Sequence, residues 1–168
     1  AALRTPIDLG HYLAAAVSAD PMTVLDSAPV CSGAAAVVLC PSQATPMGVR
    51  IAASTIGRDA PALHDRADIL RLRAASESAQ AAYAQAGVGP QDIDSAELHD
   101  SSTIMAVLSL EACGFAEQGE GVRLGADGAI AIGGRLPIST LGGLLGRGDA
   151  GAASGLYQVV EAVLQLRG

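Results

Sequence analysis

The run His99-Asp100-Ser101-Ser102-Thr103 sets an imidazole, a carboxylate and three hydroxyls in five consecutive positions. An imidazole can polarise a carbonyl or move a proton near neutral pH. Ser101 and Ser102 carry two readings. A hydroxyl of very high pKa is a poor proton shuttle beside a thiol of about 8.5, and serine just ahead of an apolar run is also a helix N-cap type. A second group of interest is Asp149, within Gly146-Arg147-Gly148-Asp149-Ala150-Gly151. Its unperturbed pKa is about 3.9, and a helix starting near Ala152 would stabilise the anion further. It serves as a base only if burial raises that value, so helix cap and modified catalytic group stand as equal readings. The same six residues spell GxGxxG, but a dinucleotide site also needs a following strand and an acid about 20 residues on, which this sequence does not supply. Cys31, Cys40 and Cys113 form no CxxC. They suggest neither a zinc site nor a disulfide framework, and free cysteine is usually a small buried hydrophobe.

The elements that must position these groups follow from pattern. Residues 7–17 read as an Ala-rich helix ended by Ala19-Asp20-Pro21. The continuous apolar run at 34–39 predicts a strand buried on both faces, and residues 49–56 and 93–98 predict two more. Residues 66–86 are the longest helical stretch, with Gly87 placed as its C-terminal cap. Residues 104–113 and 152–166 complete the helices. His99 therefore falls at a strand end before a helix, where α/β sheets gather functional groups. Alternating strands and helices predict an α/β domain with a largely parallel sheet.

Composition removes several chemistries. All ten cations among the 168 residues are Arg, against 17 carboxylates, for a net charge of −7. Without Lys there is no lysine imine and no P-loop lysine. The acidic balance excludes a phosphate-binding nucleic-acid surface. The opening residues have no apolar targeting core, and no window reaches the roughly 18 apolar residues of a membrane span. A reducing cytoplasm is the expected location.

Taken together, five stretches resemble the C-terminal domain of the thiolase superfamily, of the sterol-carrier and archaeal acetyl-CoA acetyltransferase types. Glu97 to Thr103 resembles the HDCFT motif. Asp26 to Leu39 is similar to the segment ending DGAAAVVL. Cys113-Gly114-Phe115 through Gly119-Glu120-Gly121 resembles a GF…GEG loop. Gly142-Gly143-Leu144-Leu145 through Gly155 is similar to GGLLAKGHPxGATG, and residues 163–168 to VLQLRG. The resemblance implies a βαβαβα half of a layered, mostly parallel α/β fold whose final strands are absent, with residues 1–32 as lead-in and 33–168 as the domain. It implies chemistry on coenzyme A thioesters with no bound cofactor or metal, as an acyltransferase whose nucleophilic cysteine comes from a partner N-terminal half or second subunit. A retro-aldol lyase and a non-catalytic acyl-CoA-binding subunit are the alternatives. A zinc-ribbon/OB-fold partner protein is also implied. By the same resemblance His99, Ser101 and Asp149 are the catalytic positions, and Gly142, Gly143 and Ser154 bind substrate. Two of these depart from the family pattern: Ser101 replaces its cysteine and Asp149 its GHP histidine.

Overall fold

The computed structural model describes residues 5–44 and 48–168; residues 1–4, part of the opening inspected for a targeting segment, lie outside them. The chain divides into two compact units. One comprises Ala1–Val38, Glu97–Ala106 and Ile138–Gly168, the other Leu39–Ala96 and Val107–Pro137.

In the first unit, helix α1 (Leu9–Leu13) starts from Asp8, whose side chain accepts the His11 N–H. Strands β1 (Val17–Ala19) and β2 (Met22–Thr23) follow as an antiparallel pair, with Val17 opposite Thr23 and Ala19 opposite Met22. The helix predicted over 7–17 thus ends early, because Val17 is drawn into this hairpin. A carboxylate anchors the region. Asp26, only 4% exposed, accepts from the Thr23 N–H (2.7 Å), from the Tyr12 hydroxyl and from the Thr103 hydroxyl (2.9 Å). Thr103 opens helix α3 (Thr103–Ala112), so the anchor fixes the start of that helix.

The second unit is built on helix α2 (Arg73–Ala86). Gly87 ends it in the left-handed conformation (φ 71°) with its N–H on the Tyr83 carbonyl, as the sequence predicts. Residues 54–57 lie along α2: the Thr55 hydroxyl donates to the Ser78 carbonyl at 2.8 Å, and a Cβ at Gly57 would fall 1.9 Å from the Ala74 carbonyl oxygen. The Tyr83 hydroxyl donates to the Cys113 carbonyl (2.8 Å), and Glu111 accepts the N–H of Gly121, the first residue of helix α4 (Gly121–Ala126). Leu110 and Leu136 are fully buried here. Between α2, residues 66–72 and residues 111–118 lies a cavity of about 690 Å³.

The first unit also holds α5 (Gly143–Arg147) and α6 (Ala153–Arg167). Positions 154, 157, 158, 161 and 165 share one face of α6. That face is polar, and it bonds to the rest of the unit. The Ser154 hydroxyl donates to Asp149, the Tyr157 hydroxyl accepts from the Ala34 N–H, the Gln158 amide donates to the Leu98 carbonyl, Glu161 ion-pairs with Arg147, and Gln165 donates to Thr140. Leu156, Val159 and Leu166 of the same helix are exposed.

The predicted strands require a correction. Among the described residues the only sheet is β1–β2; residues 34–39, 49–56 and 93–98 form no ladder. A strand is defined by a neighbour, and these runs have none. Val38 is 92% exposed and Leu39 73%, so the stretch expected to be buried on both faces is buried on neither. Residues 54–57 are held by α2 instead, and Ala96 makes one backbone bond, to the Pro137 carbonyl.

Candidate active site around His99

The site is assembled inside the first unit by one short connecting segment, residues 28–31. The Ala28 N–H donates to the Ser101 carbonyl at 2.9 Å. Three residues on, the Asp149 N–H donates to the Pro29 carbonyl (2.8 Å) and the Cys31 N–H to the Asp149 carbonyl (2.9 Å). One stretch of backbone thereby braces both sequence-predicted catalytic segments. Cys31 enters the site by its backbone, and its sulfur packs where a Cβ on Gly148 would sit.

His99 is the apex of a three-residue turn closed by the Asp100 N–H on the Leu98 carbonyl at 3.0 Å. Leu98 and Asp100 on either side are buried, so the imidazole alone stands out to solvent. Ser101 is half-buried. The two readings of the serines separate here, because the capping bond comes from Ser102, whose hydroxyl accepts the Met105 N–H at 3.3 Å.

Asp149 Oδ1 accepts from the Ser154 hydroxyl (2.7 Å) and from the Gly151 N–H (2.9 Å). The Ser154 hydroxyl, then the Gly151 amide, hold its carboxyl below the ordinary aspartate value, with burial opposing weakly. Burial does not raise this carboxylate, so it fails the condition for a strong base. Ser154 is 1% exposed and its oxygen also accepts the Ala150 N–H, which commits it to orienting Asp149. It stands behind the carboxylate.

Asp100 is the residue that sequence reasoning left without a task. It is 5% exposed, and its Oδ1 accepts the Leu144 N–H at 2.8 Å. Burial pushes its pKa up, and the Leu144, Asp100 and Leu145 N–H groups pull it partly back. Gly142 (φ 105°) and Gly143 (φ 56°) form the entry to α5. A Cβ on Gly143 would lie 2.0 Å from Asp100 Oδ2. Gly143 is buried and Gly142 is exposed, so of the two only Gly142 faces solvent. The signal that could have found Asp100 was its alternation with His99 between an apolar residue and a serine. Arg147, Glu161 and Glu97 form a further buried charged group beside the site, with nothing local in the sequence to announce it. Among the described residues no group of three or more His, Cys, Asp or Glu is placed to hold a metal ion, and no helix is long and apolar enough to cross a membrane.

Residues 55–168 match the family model described as thiolase C-terminal domain-like. The chain belongs to that thiolase family. It is 43% identical to an acetyl-CoA acetyltransferase of Methanothermobacter thermautotrophicus over 89% of this chain and 40% of that protein. It is 32% identical to the benzoylsuccinyl-CoA thiolase subunit BbsB of Thauera aromatica (96% and 43%), and 34% identical to sterol carrier protein 2 of Bos taurus (89% and 29%). Among solved structures it resembles the Ltp2-ChsH2(DUF35) aldolase, with TM-score 0.70 and 26% identity over 94% of this chain and 43% of that one. The thiolase-family chain thus spans less than half the length of these relatives.

Proposed function

We propose that this chain is the carbonyl-polarising half of an enzyme that makes or breaks carbon–carbon bonds in acyl-CoA thioesters, with another half supplying the nucleophilic cysteine. The observation that carries this reading is the exposed His99 imidazole at the apex of a turn, in a segment braced by the same residues 28–31 that brace Asp149. In thiolytic cleavage a cysteine attacks the 3-keto carbonyl and the C2–C3 bond breaks. The electron pair becomes the enolate of the shorter thioester, and a proton completes it at C2. His99 stabilises that enolate oxygen, where a positioned donor is worth about 100- to 1,000-fold in rate. Ser101 offers a hydroxyl donor, Asp149 stays an anion that Ser154 orients, and Gly142 with Gly143 shapes the turn that receives the thioester.

A second reading, retro-aldol cleavage of a 3-hydroxyacyl-CoA, is favoured by one observation. One of the solved structures that this chain resembles is an aldolase. Retro-aldol cleavage needs no thiolate. It removes the 3-hydroxyl proton, releases a ketone, and leaves the same thioester enolate on His99. The likeness to an aldolase whose name joins Ltp2 to ChsH2(DUF35) supports this reading, and with it a zinc-ribbon/OB-fold partner.

In the same proposal, residues 1–32 lead into a domain at 33–168. The exposed run at 34–39 becomes a strand of a layered, mostly parallel sheet when the remainder of the enzyme supplies its neighbour. A reducing, cytoplasmic setting fits the Cys31 thiol beside the site. The test is to assay the complete enzyme, with any companion subunit, on 3-ketoacyl-CoA plus coenzyme A and on 3-hydroxyacyl-CoA. Activity on one that falls at least 100-fold in His99→Ala is expected. Full activity in His99→Ala would mean a non-catalytic acyl-CoA-binding or structural role and would overturn the proposal.

A further inference from the structure

Arg147 is unusual for an arginine in being largely interior: its side chain is 17% exposed, and that of its ion-pair partner Glu161 is 6% exposed. The guanidinium lies over the Tyr157 ring, 4.6 Å from its centroid. It also interacts with Glu97, a carboxylate that burial pushes up in pKa and that Arg147 pulls down. One oxygen of each glutamate, Oε2 of Glu97 and Oε2 of Glu161, is buried without a hydrogen bond among the described residues. The guanidinium is the opposite charge paired with Glu161. Burial of this kind is costly, and replacing a buried ion pair with apolar or neutral groups is often neutral for stability. Stability alone does not account for it.

The sequence offsets suggest what does. Glu97 lies two residues before His99, and Arg147 two residues before Asp149. Glu161 belongs to α6, which also holds Asp149 through Ser154 and the His99 turn through the bond from Gln158 to the Leu98 carbonyl. We infer that Arg147 is a positioning residue: seated on Glu161 and against Tyr157, it ties the Asp149 loop to α6, which also holds the His99 turn, and so fixes the spacing of the two. The planar guanidinium suits this task because it can meet a carboxylate and a ring face at once, which a lysine ammonium does less well. The inference rests on the proposed role of His99.

The experiment compares Arg147→Met/Glu161→Gln with Arg147→Lys and His99→Ala, in the complete enzyme. The double variant removes the buried charges together, so its unfolding midpoint should stay within about 3 °C of the parent. Its kcat should fall about 10- to 100-fold with KM for the acyl-CoA within about twofold. Its His99 ring 1H–15N signals, assigned by their loss in His99→Ala, should move. Arg147→Lys, which keeps the charge without the planar fork, should lose at least about fivefold in kcat. If the double variant keeps kcat within twofold and its His99 signals do not move, Arg147 is only a structural plug and the inference falls. Should the double variant not fold, Arg147→Lys decides alone: an unchanged kcat and unmoved ring signals overturn the inference. Full activity in His99→Ala instead defeats the parent reading, and the ring signals still report whether Arg147 places His99.

Discussion

The two compact units keep different things inside. The unit that carries His99 buries Thr23, Asp26, Asp100, Ser139, Ser154 and Glu161, with Leu98 and Leu144; the other buries Leu110, Leu136 and Ser109. Among the described residues each buries two leucines, but the first encloses six polar side chains to the second's one. Hydrophobic burial tolerates small displacements, whereas a carboxylate with named donors does not. A unit that must hold an imidazole and a carboxylate in register benefits from the second kind of order, at some expense in stability.

The sharpest way to break this contrast is Gly143→Ala. The new methyl would meet Asp100 Oδ2, and the backbone is left-handed, so we expect a loss of about 3 kcal/mol or failure to fold, read by urea unfolding. Next in size is His99→Ala, whose ring is exposed: activity should fall about 100-fold or more while the unfolding midpoint stays put. A subtler separation comes from pH. Asp26 is held below its ordinary pKa, first by the Thr23 N–H. The stability it contributes is present above about pH 3.9 and is lost as pH falls through its folded pKa. Asp100 is raised by burial, so the folded protein binds its proton more readily and gains stability as pH falls through the raised value toward about 3.9. Urea midpoints across the acid range should therefore show Asp26→Asn removing a fall and Asp100→Asn removing a rise. Smallest of all is Arg73→Ala in the other unit. Arg73 itself is exposed, though its partner Asp59 is mostly covered, and the melting temperature should move by less than about 4 °C.

Helices α2, α3 and α6 were readable within one to a few residues at most ends, because propensity, the Gly87 cap and the Ser102 cap are local properties. The exception is the N-terminal end of α2, which begins at Arg73 rather than at residue 66. His99 and Asp149 stood out in the sequence because their motifs are contiguous. What was not readable is relational. Residues 34–39 have the composition of an interior strand, but a strand needs another strand. Asp100 and Leu144 are 44 positions apart, and the Thr103–Asp26 bond joins residues 77 apart. The inward polar face of α6 reads locally as the exposed face of an amphipathic helix, since pattern gives the two faces and not which one meets solvent.

The contact between Gly143 and Asp100 also bears on how such a protein can change over time. The Asp149 carboxylate is half-exposed and, among the described residues, bonds only to its near neighbours Gly151 and Ser154, so a change there is answered locally. The frame itself has no such freedom: a single added carbon at position 143 collides with the oxygen beneath it. The room for change lies at the exposed side chains of this scaffold, and the buried glycine beneath them is the part that has to stay.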